Sequence, residues 1–436
     1  MKIQIKLIVL VLLAFTSFSI LADSKSRVDK ALLDASEKAK QPLIDSLRSY
    51  VEIESGSNDR EGLLKIANLY EANLKSLGFK TERQASLVGT KADIVTGVIK
   101  GKGQLKLMLI SHMDTVYPKG AIETQPYKIL GNKIYGPGIA DDKAGMAVII
   151  HSLQILFKSG WNDFDSITVI CNPDEEVGSI GSGGYIQSMA KNQDIVLSFE
   201  PSDDKKASGF RYAGVDPLIL ATSGAARVSL TVYGRGSHTG AAPENGRNAL
   251  LELAHELLIT RDLPKKNPGA TLNWVQAISD GPQNQIPEKA SAIGDIRIPR
   301  DGAELKLVEM IRETISKDRL VPDTSSEVTL IPRRPSYRAD KRAMEVVAIA
   351  RSIYQEINLH LAEVGTKENG DAIVGGGTDA GFASRSGAIV IEGLGLPGYG
   401  YHAKDEYVLS DAIVPRLYLA TRLISILAKN GVPTKR

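Results

Sequence analysis

The sequence predicts an α/β protein: a mainly parallel sheet covered by helices on both faces, interrupted by an inserted α+β domain of ferredoxin-like order. Three observations carry this. Over the first half of the chain short apolar runs alternate with helical apolar stripes, the pattern of strands joined by helical crossovers. From about Ala225 to Pro332 the rhythm changes to strand, helix, strand, strand, helix, strand, the ferredoxin-like order. After Tyr337 the first rhythm returns, so one domain is inserted into the other.

In chain order, Lys2 and Lys6 precede the apolar run Leu7–Phe15, with Ser17, Ser19 and Ile20-Leu21-Ala22 beyond it. A charged, then apolar, then small-residue progression is that of a secretory signal, and the run is too short to favour a spanning helix. Residues 1–22 are therefore read as a signal peptide, with an uncleaved anchor as the alternative, and the mature chain as secreted or periplasmic without stable membrane insertion. Helical stripes follow at Val28–Val51 and at Gly62–Leu77, the second stopped by Gly78. Ala92–Ile99 and Leu105–Ile110 read as strands, Asp141–Lys158 as a helix and Ser166–Cys171 as a strand. Gly184–Ala190 then reads as a short helix and Ile195–Phe199 as a buried strand. Inside the insertion, strands are expected at Val228–Tyr233, Leu272–Ile278, Ala290–Ile298 and Val328–Ile331, with helices at Asn248–Thr260 and Ala303–Lys317. The expected division is 23–223 for the first part of a catalytic domain, 224–334 for a lid and dimerisation domain, and 335–436 for the second part.

At 436 residues the chain has length for two or three domains, and 53 basic against 51 acidic residues leave a net charge of +2. With no long basic run and no aromatic-basic ladder, nucleic acid is excluded as a partner. The one cysteine, Cys171, lies in an apolar run and excludes an intramolecular disulfide.

The chemistry-bearing residues cluster just beyond strand-like runs, where α/β sheets place their sites. Adjacent Glu175 and Glu176 follow the run Ile167–Cys171. On extended chain they would point opposite ways, one toward a metal and one free to move a proton. His112 ends Leu105–His112, and Asp114 stands two residues on as an acceptor for its second ring nitrogen. Asp141 and Asp142 follow Gly136-Pro-Gly-Ile-Ala, Glu200 follows Ser198-Phe199, and His402 ends Gly398-Tyr-Gly-Tyr. Singly each has a plain structural reading: a strand-end histidine, a helix N-cap at Asp141, a solvated loop carboxylate at Glu200. Together, two imidazoles and several carboxylates form the donor set of a hydrolytic metal pair. No Gly-x-Ser-x-Gly elbow appears, which argues against a serine hydrolase, and no Gly-Lys-Ser/Thr follows the glycines of residues 178–184.

Six segments carry a resemblance. Ser-His-Met-Asp, Gly-Pro-Gly-Ile-Ala-Asp-Asp-Lys, Asp-Glu-Glu-Val-Gly-Ser, Ser-Phe-Glu-Pro-Ser, Gly-Gly-Gly-Thr-Asp-Ala and Gly-Leu-Pro-Gly-Tyr-Gly-Tyr-His resemble the di-zinc aminoacylase/carboxypeptidase family, and within it the glutamate carboxypeptidases of the carboxypeptidase G type. The similarity runs from about Leu32 to the C-terminus. It implies two zinc ions per chain, with cobalt or manganese as substitutes. Asp141 would bridge them, His112 and Glu200 would complete one site, and Glu176 and His402 the other. It implies a cis peptide bond after Asp141 and Glu175 as general base. His238, otherwise a surface turn histidine, would donate to the oxyanion, in dimeric members from the neighbouring subunit. Asn284 and Arg297 match lid positions that contact substrate. Arg334, with Arg333 as its adjacent competitor, resembles an arginine that grips a substrate carboxylate. Gly377 and Thr378 would present backbone amides to the same group. The resemblance thus implies a zinc exopeptidase releasing a C-terminal amino acid, glutamate first, from a small peptide or acyl-amino-acid substrate, and a homodimer formed through the insertion. A dipeptidase or an N-acyl-amino-acid deacylase is the nearest rival, and a non-catalytic binding homologue the more distant one.

Overall fold

The computed structural model describes residues 27–86, 88–90, 92–203, 215–365 and 375–434. The signal-peptide expectation for residues 1–22 lies outside them. Two helices lead: α1 (Lys30–Val51), capped by the Asp29 side chain accepting from Leu32 N–H, and α2 (Arg60–Ser76), capped in the same way by Asp59 on Gly62. The strands β1 (Lys80–Ala85), β2 (Asp93–Lys100) and β3 (Lys106–His112) follow, then α3 (Ala144–Lys158), β4 (Ser166–Asn172), α4 (Gly183–Ala190) and β5 (Ile195–Ser198).

The insertion starts at β6 (Gly224–Tyr233) and continues through α5 (Ala249–Thr260), β7 (Thr271–Ile278), β8 (Lys289–Ile298), α6 (Ala303–Lys317) and β9 (Ser325–Arg334). The chain then forms α7 (Lys341–Glu356), β10 (Ile389–Ile391) and α8 (Ile413–Asn430).

The main sheet has the order β1-β2-β4-β3-β5-β10. β4, β3, β5 and β10 run parallel, and β2 is antiparallel to both of its neighbours. α3 is buried nearly all round, through Val148, Ile149, Leu153 and Leu156 among others, because it packs on the sheet while α1 and α8 pack on it. Each such side chain contributes about 1.5–3 kcal/mol of burial. The expected helix over Asp141–Lys158 starts later, at Ala144, because residues 139–143 form a distorted turn.

The insertion is one antiparallel sheet, β7-β8-β6-β9, with its own core of Val228, Leu230, Ile296, Leu307 and Ile311 beneath α5 and α6. Its element order is the ferredoxin-like one read from sequence. Where the chain leaves and re-enters the first unit, Ala221–Thr222 pair with Tyr337–Arg338 as a short antiparallel ladder. The opposite face of the lid sheet, bearing Arg227, Asp295 and Arg297, is free of helices and turns toward the strand ends of the main sheet.

Candidate metal centre and substrate cavity

His112 closes β3, so its ring lies at the carboxyl edge of the sheet. Its Nε2 is 2.9 Å from Asp141 Oδ1 and 3.7 Å from Glu200 Oε2. On the far side of Asp141, His402 Nε2 is 3.4 Å from Oδ2 and 3.2 Å from Glu176 Oε2. Two donor triads result, His112–Asp141–Glu200 and Asp141–Glu176–His402, the atoms of each within 4.8 Å of one another and Asp141 common to both. The peptide bond Asp141–Asp142 is cis.

Local structure explains how the sequence reaches this arrangement, and it departs from expectation at three points. Glu175 and Glu176 do not lie on extended chain. They occupy a turn closed by Gly178 N–H donating to Glu175 O at 2.8 Å, with Gly178 at φ 95°. Their division of labour therefore comes from the turn and not from strand alternation. Asp114 does not face His112 mainly through its carboxylate. Nδ1 is 3.0 Å from the Asp114 backbone oxygen and 3.4 Å from Oδ1. The buried carboxylate instead accepts from the backbone N–H groups of Glu175 and Glu176 at 3.0 and 3.1 Å and from Ser57 Oγ at 2.8 Å. Finally, Asp141 is not the cap of α3: the N-cap is Lys143, which makes no side-chain cap bond, and the carboxylate that reaches the first turn is that of Asp142. Asp142 Oδ1 accepts from Gly145 N–H at 3.2 Å, and its Oδ2 accepts from His112 N–H at 3.3 Å. A Cβ on Gly145 would lie 2.2 Å from both Asp142 Oδ1 and Phe199 O, so only glycine lets the helix start this close to the Glu200 segment.

Sequence reasoning missed Glu406. Buried four residues past His402, it accepts from the N–H groups of Gly138, Ala140 and Asp141 at 3.0, 2.8 and 3.0 Å and from Tyr117 Oη at 2.6 Å. It thereby fixes the loop that carries Asp141. No apolar strand precedes it, so the cue that located the other carboxylates was missing.

The electrostatics follow from crowding carboxylates out of water. Burial first, then the Asp141 charge, pushes Glu176 up to about 7. Burial likewise raises Glu200, and it raises Glu175 well above the usual carboxylate range although the Arg334 guanidinium opposes it. Asp141 is held low: burial works against ionisation, but hydrogen bonds from His112 and His402 outweigh it. His402 is lifted to about 10 by its hydrogen bonds to Asp141 and Glu176. Divalent cations would offset this crowding of carboxylates and take the same oxygens and nitrogens as ligands, so the donor set fits a pair of them.

A cavity of about 580 Å³ opens over the centre. Glu175, Glu176 and Glu200 face it from the main sheet, and Arg227, Arg297 and Arg334 from the lid. Gly376, Gly377 and Thr378 line it as well. Gly376 O accepts from Ser223 N–H, and Gly377 O accepts from Arg334 Nη1. Arg334 also reaches Glu175, with Nη1 2.6 Å from Oε1 and Nη2 on the backbone oxygen, and its buried Nε has no partner among the described residues. Arg333 lines the cavity too, because β9 is bulged: Ala225 pairs with Arg334 but Ala226 with Pro332, leaving Arg333 as the extra residue. On a regular strand two consecutive arginines would face opposite sides. Arg297 holds Asp295 at 2.9 Å.

Two expected site residues lie elsewhere. His238 is exposed on a short ladder pairing Ser237–His238 with Gln285–Ile286, its Nδ1 accepting from Gly240 and Ala241 N–H. Asn284 sits beside it, its carbonyl accepting from Thr239 N–H. Neither lines the cavity of its own chain. The helical histidines are structural: His151 is 2.9 Å from Ser46 Oγ and His255 is 3.0 Å from Asp318.

A mixed α/β sheet with a strand-end donor cluster under a small lid defines a class, and the sequence comparisons place the chain in it: it belongs to peptidase family M20/M25/M40, whose pattern it matches over residues 108–426. These are metal-dependent peptidases, so the resemblance read from the six motifs holds at the level of the family. More particularly, the chain is 40% identical over 412 residues, 94% of each chain, to Carboxypeptidase G2 of Pseudomonas sp. (strain RS-16). It is 25% identical over 402 residues to the uncharacterised protein YqjE of Bacillus subtilis (strain 168), covering 89% of this chain and 98% of that one. Among solved structures, aminopeptidase PepT from Bacillus cereus superposes with a TM-score of 0.68 at 18% identity, over 89% of this chain and 99% of that one. The M20 family metallo-carboxypeptidase Sso-CP2 from Sulfolobus solfataricus gives 0.66 at 15% identity over the same shares. At these identities the structures establish the shared fold.

Proposed function

We propose that the chain is a secreted, zinc-dependent metallocarboxypeptidase that hydrolyses the amide bond to a C-terminal amino acid, glutamate first, in folate-type, N-acyl or peptidyl substrates. The observation that carries this reading is the pair of donor triads sharing Asp141, set beside Glu175 at the floor of a cavity whose lid wall is rich in arginine. The name of the 40% identical relative supports the carboxypeptidase direction.

Two zinc ions held by His112, Asp141, Glu176, Glu200 and His402 would polarise the scissile carbonyl and supply a water with a pKa near roughly 7. Glu175 would serve as the general base toward the attacking water and pass its proton to the leaving amine nitrogen. Asp114 holds the turn bearing Glu175 and Glu176 through their backbone N–H groups. Arg334 orients Glu175, and its guanidinium, which lines the cavity, receives the substrate α-carboxylate together with the Gly377–Thr378 backbone. Arg297 flanks the cavity from the lid. His238 and Asn284, exposed and outside their own chain's cavity, serve the oxyanion and substrate of a partner subunit.

The division 23–223, 224–334 and 335–436 gives the lid that dimerisation role. Exposed Leu251 and Leu258 on α5 and Val275 on the edge strand β7 offer an apolar surface for it. No helix among the described residues is long and apolar enough to cross a membrane. A panel of N-acyl-glutamates, dipeptides and N-acetylated amino acids tests the reading. Fastest cleavage of acyl-glutamates supports it, whereas preference for dipeptides or acetylated amino acids moves the activity to a dipeptidase or deacylase.

A further inference from the structure

The cavity is electrically divided. Its floor carries the carboxylates of the donor cluster, whereas its lid wall carries Arg227, Arg297, Arg333 and Arg334 against the single carboxylate of Asp295. Two of these cations have carboxylate partners within the chain: Arg297 holds Asp295 and Arg334 holds Glu175. The other two have none among the described residues. Arg333 donates only to a backbone oxygen, that of Val177, at 2.8 Å, and burial together with the Arg227 and Arg334 charges makes its guanidinium less basic. Arg227 projects from β6 on the open face of the lid sheet, opposite Asp295 in register, and that Asp295 is already engaged by Arg297. The bulge in β9 brings Arg333 to the same wall. Four guanidinium groups against the one lid carboxylate of Asp295 leave this wall net positive, with Arg333 half-buried and Arg227 exposed to the cleft, and such a wall favours an anionic ligand.

We infer that Arg227 and Arg333 form a second anion subsite, which takes the side-chain carboxylate of the released amino acid; the inference rests on the carboxypeptidase reading above. Two further features assign the subsite to the released residue. Pro217, Ile219 and Val364 line the same cavity as an apolar wall suited to methylene groups. The other half of the substrate has its own path, a groove along Ser57–Asp59 and Thr115–Lys119 that meets the centre on the far side of Glu176 and Val177. Arg334 then serves the α-carboxylate, and Arg227 with Arg333 makes the site selective for a dicarboxylic amino acid.

The test is kcat/KM for N-benzoyl-glutamate, N-benzoyl-glutamine and N-succinyl-glutamine, the last carrying its extra carboxylate on the acyl side. Wild type, Arg227→Gln, Arg227→Lys and Arg333→Gln are compared, with each variant's thermal midpoint recorded to establish folding. Wild type should prefer glutamate to glutamine, and that ratio should fall about tenfold or more in Arg227→Gln and Arg333→Gln, with Arg227→Lys retaining most of it. An unchanged glutamate-to-glutamine ratio in folded Arg227→Gln overturns the inference while leaving the carboxypeptidase reading intact. A loss confined to the succinyl substrate overturns the assignment to the released residue. Failure of wild type to cleave any of the three overturns the carboxypeptidase reading and the subsite with it.

Discussion

Asp141 is held from three sides: the imidazoles of His112 and His402 reach its two carboxylate oxygens, and Glu406 holds its backbone N–H. That last contact makes Glu406 a positioning residue. Glu406→Ala should weaken metal binding roughly 10- to 100-fold, measured by competition with a chromogenic chelator, with Glu406→Gln recovering part of it. Equal affinity in both variants and wild type would remove Glu406 from that role. Glu175 differs from its neighbour in not belonging to either donor triad. Glu175→Gln should lower kcat roughly 100- to 10,000-fold while metal content stays at the wild-type value. An active, metal-replete variant would eliminate Glu175 as the base. At this scale the sequence was informative wherever a carboxylate or imidazole followed an apolar strand, as with His112, Glu175, Glu176 and Glu200. Glu406 has no such flank, and which of Asp141 and Asp142 turns its carboxylate to the first turn of α3 depends on a distorted turn that residue identity does not encode.

Elements were legible in proportion to their burial. β3, β4 and β5 are buried on both faces and read as continuous apolar runs. β1, whose residues Lys80–Ala85 are polar and largely exposed, lies at the edge of the sheet and has no periodic signal, so it was missed. The bulge that turns both Arg333 and Arg334 toward the cavity was also beyond reach, since strand periodicity alone sends one of them away. The packing of α3 on α1 carries a pH prediction. His151 of α3 is 4% exposed beside Ser46 of α1, and burial pushes it down from 6.5 to about 4. The unfolded chain therefore takes up this proton before the folded one, and stability falls as pH drops from about 6.5 to about 4, by roughly 3 kcal/mol in all. Urea midpoints followed across that range should fall less steeply in His151→Gln than in wild type. Parallel slopes would show that His151 has the same pKa folded and unfolded.

In the whole molecule the described residues form three hydrophobic cores, two built on the main sheet and one in the insertion, and the ladder of Ala221–Thr222 with Tyr337–Arg338 joins the insertion to the rest. The cavity over the donor cluster is lined by residues of both the main unit and the insertion, so on the proposed reading the placement of the lid bears on the chemistry. A single-chain sequence conveys the insertion through its change of rhythm, but not which surfaces a second copy covers. If the lid dimerises through α5 and β7, Leu251→Glu with Leu258→Glu should convert a dimer to monomers in sedimentation velocity. The same monomers should lose most of their turnover, because His238 lies outside its own chain's cavity. A wild-type protein that sediments as a fully active monomer would exclude that arrangement. The central claim, a metal-dependent release of C-terminal glutamate, is tested most directly by assaying free glutamate released from folate or an N-acyl-glutamate by purified protein, before chelation, after chelation and after zinc is restored. Release that disappears on chelation and returns with zinc is the predicted result; no release from protein carrying two metals per chain would contradict it.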